Sequence, residues 1–163
     1  MDSLHDLEVL IESDHRLIIL ETDRESAFLE GFRRTANRSS KAYFQWTATQ
    51  GLERLANGFA ALPLFKDIHQ LFGQIVSAPK PGVYVLIDFH HYLEDPIAIR
   101  YIKDVLLKSP QHCLILMSRK LSLPEDLASS ATRFKLPLPD ANQLKRLIND
   151  LAERLEVTPV SAP

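Results

Sequence analysis

At 163 residues the chain has the length of one domain with a real core and needs no disulfide or metal staple. Its composition, 45% hydrophobic and 25% charged, is globular and excludes disorder. The formal net charge of -2 gives no global field for nucleic acid or an anionic membrane, and no apolar run nears the roughly 18 to 20 residues of a membrane span.

Leu4, Leu7, Val9, Leu10 and Ile11 fall at helical spacing and predict a short opening helix. Met1 to Glu8 alternate polar and apolar residues and carry three acids, unlike a secretory leader, so a cytoplasmic protein is expected. Leu17-Ile18-Ile19-Leu20 is an unbroken apolar run, the pattern of a strand buried on both faces. Thr22 and Glu25 have capping-box spacing, and a helix follows through Ala27, Phe28, Phe32 and Ala36. Tyr43 to Thr47 is aromatic and β-prone, a second strand. Between Gly51 and Val76 the pattern is less regular, but Leu64, Phe65, Ile68, Leu71, Phe72, Ile75 and Val76 form one helical stripe.

Pro79-Lys80-Pro81-Gly82 breaks the chain, and Val83 to Ile87 is the strongest strand, closing on Asp88. A helix starts near Asp95-Pro96, where proline suits the first turn. Cys113 to Met117 forms a fourth strand ending at Ser118. Its lone cysteine has no internal disulfide partner, fits a reducing compartment, and reads as a small core hydrophobe. A helical turn opens at Leu123-Pro124, Phe134 to Leu138 is a fifth strand, and a last helix from Pro139-Asp140 carries Leu144, Leu147, Ile148, Leu151 and Leu155. Residues 1–156 thus form one domain and 157–163 a tail or the start of a linker. Alternating strands and helices predict an α/β three-layer sandwich around a five-stranded, mostly parallel sheet. Chemistry in such sheets gathers at the carboxyl ends of the strands, here Glu21 to Asp23, Asp88 to His91, Ser118 to Lys120 and the region of Arg133.

A nucleotide hydrolase of this layout follows its first strand with a glycine-rich loop and a lysine that hold phosphate. Glu21-Thr22-Asp23-Arg24-Glu25-Ser26 stands there instead, with no glycine, no lysine and three carboxylates. An apolar strand ending in Asp88 could hold magnesium, but Phe89 takes the place of the acid that orients water. Catalytic residues are therefore not expected, nor a cofactor. His90-His91 beside Asp88 lacks a second ligand cluster, because His69, His112 and Asp95 are not spaced for one, and a metal is not expected. Arg33-Arg34 and Arg38 to Lys41 make a short basic patch near Tyr43, Phe44 and Trp46, which reads as a solvated helix end before a core strand and not as a nucleic-acid surface.

The runs Leu17 to Glu21 and Val83 to Phe89, the segment Leu86 to Asp95, Leu121-Ser122-Leu123-Pro124-Glu125-Asp126-Leu127, and Phe134 to Asp140 together resemble the N-terminal region of a plastid and cyanobacterial family of AAA ATPases, first known as a hypothetical chloroplast reading frame. The resemblance spans nearly all of residues 4–156. It implies a degenerate ATPase-like domain without the phosphate loop, preceding a linker and a complete AAA ATPase domain. By the same resemblance, Asp88 is a remnant of the second nucleotide motif and Ser118 stands at the γ-phosphate sensor. Arg133 lies near the place where AAA modules carry subunit-crossing arginines. The implied role is non-catalytic, in regulation or assembly, with the ATPase domain of the parent chain, a related ATPase or a further copy as partner. Two alternatives use the same strand ends. A receiver-like phosphoacceptor domain would use Glu21, Asp23, Asp88, Ser118 and Lys135, and a third reading has nucleotide bound without hydrolysis.

Overall fold

The computed structural model describes residues 2–56, 64–135 and 141–154. The expected tail at 157–163 and the far end of the fifth strand, 136–138, lie outside them. In chain order the elements are α1 (Asp2–Glu12), β1 (Leu17–Glu21), α2 (Glu25–Ala36), β2 (Ala42–Thr47), β3 (Gly51–Arg54) and α3 (Ile68–Ser77). Then come β4 (Gly82–Ile87), a 3-10 turn (Phe89–Tyr92), α4 (Pro96–Lys108), β5 (Cys113–Ser118), α5 (Glu125–Ala128), β6 (Thr132–Lys135) and α6 (Ala141–Arg154).

The central strands are buried on both faces, so each contributes alternate residues to two cores. Leu17 and Ile19 of β1, Tyr84 and Leu86 of β4, and Leu114 and Leu116 of β5 meet α3, α4 and α5 through Leu71, Phe72, Ile75, Ile102, Val105 and Leu127. Their neighbours Ile18, Leu20, Val83, Val85, Ile115 and Met117 meet α1 and α2 through Leu7, Ile11, Phe28 and Phe32. This is the three-layer sandwich predicted from the apolar runs.

The sheet order is β3-β2-β4-β5-β1-β6. Among the described residues the strand count is six, which corrects the expected five. The extra strand, β3, pairs antiparallel with β2, from Phe44 opposite Arg54 to Thr47 opposite Gly51. The other four pairings are parallel. Gly51 closes this hairpin at φ 76°, and a Cβ there would lie 2.2 Å from the Leu64 carbonyl oxygen. A left-handed glycine after a short loop is a hairpin device.

The strand order also removes the receiver reading. A receiver places its first strand between the second and third, whereas β1 here lies between β5 and β6. Glu21 and Asp88 then end strands separated by β5, roughly 10 Å apart at normal strand spacing, and cannot form one acidic pocket. Two local expectations change as well. Thr22 does not cap α2. Its hydroxyl accepts the Arg24 N–H at 2.9 Å, and Arg24 is the N-cap residue with no side-chain cap bond. On the expected stripe before and along α3, Leu64 and Val76 are exposed. At α4, by contrast, Asp95 accepts from Ile97 N–H at 2.9 Å and Pro96 takes the first turn, as predicted.

Candidate functional site at the carboxyl ends of the strands

From β1 the chain turns to α2 on one face, and from the adjacent β5 it turns to α5 on the other. The carboxyl ends of these two strands are therefore the switch point where ligands bind in open α/β sheets. Three donors at this point are bonded within the chain. Thr22 N–H donates to the Ser118 carbonyl at 2.8 Å. Arg24 N–H goes to the Thr22 hydroxyl, and the Ser118 hydroxyl donates to the Lys120 carbonyl at 3.3 Å.

Glu21, the last residue of β1, sits where an apolar strand reaches partial exposure, and a carboxylate there needs partners. One oxygen accepts from Arg133 Nη1 at 2.7 Å, and the other accepts from Leu121 N–H at 3.3 Å. Arg133 Nη2 in turn donates to the Leu121 carbonyl at 3.1 Å. One carboxylate and one guanidinium thus tie together β1, the loop after β5, and β6. The first turn of α2, which could attract an anion through its free N–H groups, instead carries Glu25, with Asp23 just before it and both exposed. A triphosphate meets carboxylates here and no glycine-built amide cradle. The residues present do not fit it.

The three residues singled out from the sequence are not assembled into one site. Ser118 is buried and lies opposite Glu21 in the β1–β5 register, but its hydroxyl turns to the Lys120 carbonyl and makes no bond to Glu21 or Arg133. Arg133 is held by Glu21 within its own chain. Asp88 is exposed at the end of β4, one strand further on, in a left-handed conformation (φ 57°, ψ 29°). Its N–H donates to the Met117 carbonyl at 2.9 Å.

Other clusters resolve into structural roles. The rings of His90 and His91 lie with centroids 4.0 Å apart, tilted by 36°, in the 3-10 turn, and no group of three or more His, Cys, Asp or Glu among the described residues is arranged for a metal. Arg38 and Lys41 pair with Glu8 and Glu12 of α1 at 3.2 and 3.7 Å. Arg33 and Arg34 lie in the last turn of α2, where cations complement the helix dipole. The Cys113 thiol is buried and pushed up to about 12 by desolvation, and it donates to the His15 carbonyl at 3.2 Å. It is no nucleophile at neutral pH. No described helix is long and apolar enough to cross a membrane.

Two features were missed in the sequence. His112 is a core residue (1% exposed) bonded on both ring nitrogens to backbone. In α6, three residues of the apolar stripe are exposed among the described residues: Leu147, Ile148 and Leu151, at 51, 61 and 55%. The stripe itself was legible as an amphipathic helix, but nothing local says whether such a face is covered within the same chain.

A sequence model of the N-terminal domain of SpoVK-like AAA ATPases matches residues 3–136. The protein named "uncharacterized AAA domain-containing protein ycf46" from Pyropia yezoensis is 24% identical over 162 residues, covering 96% of this chain and 32% of that protein. The chain thus spans about a third of the length of this curated relative.

Proposed function

Because the chain belongs to the SpoVK-like AAA ATPase N-terminal domain family, we propose that it is a non-catalytic regulatory or assembly domain of an AAA ATPase, acting in the cytoplasm. It binds neither nucleic acid nor membrane, and its partner is the ATPase domain of the parent chain or of a related ATPase. The observation that carries this reading is the switch point, where the groups that would meet a phosphate are bonded to one another: Thr22 N–H to Ser118, and Arg133 and Leu121 N–H to Glu21. A fold relieved of nucleotide chemistry keeps its packing surfaces. The α6 stripe of Leu147, Ile148 and Leu151 supplies one such surface, and a 14-residue helix has little stability in water without a packed face.

The test uses the longer ATPase that contains this domain. With Leu147→Asp and Leu151→Asp together, assembly followed by sedimentation is expected to weaken by about 100-fold, the loss of two buried apolar anchors. The thermal midpoint of the isolated α/β domain should stay within about 2 °C, because both side chains are exposed in it. Unchanged assembly and unchanged ATPase rate in the double variant would remove α6 as the contact.

A further inference from the structure

The Glu21–Arg133 contact has the geometry of a ligand in a site. Its two carboxylate oxygens are served separately, Oε1 by a guanidinium and Oε2 by a backbone amide, which is how proteins hold an oxyanion. Arg133 is oriented independently of Glu21, since Nη2 donates to the Leu121 carbonyl at 3.1 Å. The same residue, Leu121, therefore positions the cation through its carbonyl and offers its own N–H to the anion. Leu121 is itself anchored, 3% exposed, in the core beneath α3, α4 and α5. The host half of the site is built from β6 and the loop after β5, and the guest arrives from the end of β1.

We propose that Arg133 Nη1 and the Leu121 amide form an oxyanion notch whose resident ligand is the chain's own Glu21 carboxylate. This internal ligand fastens the ends of β1 and β6 and the loop after β5 in one arrangement with no nucleotide bound. It sits beside the turn that a phosphate loop would occupy, and it makes the conformation of this end of the sheet independent of ATP. The inference concerns residues within one chain and stands apart from any docking through α6.

Chemical rescue tests it. Glu21→Ala is expected to lower the thermal midpoint by about 3–5 °C, a modest figure because Arg133 is half exposed and screened. Exchange of the Leu121 amide, read by NMR, should speed up about tenfold as its acceptor is lost. Sodium acetate at about 100 mM, against sodium chloride of equal ionic strength, should restore roughly half of the lost midpoint and slow that exchange again. The same acetate should do nothing to the wild-type chain or to Glu21→Ala/Arg133→Ala. Acetate acting equally on the double variant would overturn the notch, as would Leu121 exchange unchanged by Glu21→Ala. If Glu21→Ala does not fold, Glu21→Met keeps the side-chain length and removes both acceptor oxygens. Its Leu121 exchange should still rise several-fold, and an unchanged rate there contradicts the proposal equally.

Discussion

Trp46→Ala is expected to destabilise the domain by about 4 kcal/mol, within the range for deleting a buried aromatic. Trp46 is fully buried in β2. Its ring meets Phe89 and Tyr92 edge-on, with centroids 6.2 and 5.9 Å away. Its indole N–H donates to the Phe65 carbonyl at 2.7 Å, and Phe65 holds a left-handed backbone (φ 62°). The one side chain therefore fastens three things: β2, the 3-10 turn after Asp88, and the entry to α3. Alanine leaves a cavity and an orphaned carbonyl together. Trp46→Phe retains most of the ring volume and loses the hydrogen bond, for a cost of about 1–2 kcal/mol. Urea unfolding followed by circular dichroism measures both, since Trp46 is the single tryptophan and its fluorescence leaves with it. An alanine cost below about 2 kcal/mol would mean that the aromatic cluster rearranges to fill the gap.

The second large effect belongs to His112. Its Nδ1 accepts the Gly82 N–H at 3.1 Å, which requires the proton on Nε2, and Nε2 lies 3.0 Å from the Ala78 carbonyl. The neutral ring thereby joins the start of β4 to the end of α3. It also packs edge-on to Tyr84, with centroids 5.1 Å apart. Burial lowers the proton affinity of His112 below the ordinary 6.5, the hydrogen bond to Ala78 opposes that shift, and the charge of Arg16 adds slightly to it. The unfolded chain takes up a proton near pH 6.5 that the folded chain refuses until the pH is lower. Between those two pH values the unfolded state binds more protons, so stability rises with pH. The contribution is complete above about pH 6.5 and is lost as pH falls below it, with a slope of up to about 1.4 kcal/mol per pH unit. His112→Ala orphans one buried N–H and one carbonyl and should cost about 3 kcal/mol at pH 7.5. The gap between wild type and variant should narrow as the pH is lowered from 7 to 5. A gap that stays constant over that interval would mean that His112 is not held neutral.

Much of the fold was legible because burial on both faces leaves an unmistakable trace. Leu17–Leu20, Val83–Ile87 and Cys113–Met117 are unbroken apolar runs, and each is a central strand. Strand β3 left no such trace, since Gly51-Leu52-Glu53-Arg54 is short and polar and is held by pairing to β2. Its one signal was Gly51, placed a short loop after a strand. Thr22 and Glu25 had the spacing of a capping box, but the chain enters α2 through Arg24, which leaves the threonine two residues too early.

The candidate site divides along the same line. The acidic, glycine-free turn after β1 was visible in the residue types. The pairing of Glu21 with Arg133 was not, because the two lie 112 positions apart and meet only when β6 docks beside β1. Arg133, read as a residue for a neighbouring subunit, is engaged with its own chain. His112 drew attention only as a metal ligand without companions, when its partners are backbone groups that carry no sequence signature.

The most direct test of a non-catalytic switch point is calorimetric titration of the 163-residue chain with ATP and magnesium, paired with a phosphate-release assay. No saturable heat is expected below about 1 mM nucleotide, equivalent to binding weaker than about -4 kcal/mol, and no turnover above background. Stoichiometric binding at micromolar nucleotide, with hydrolysis abolished by substitutions in the turn from Glu21 to Ser26, would contradict it.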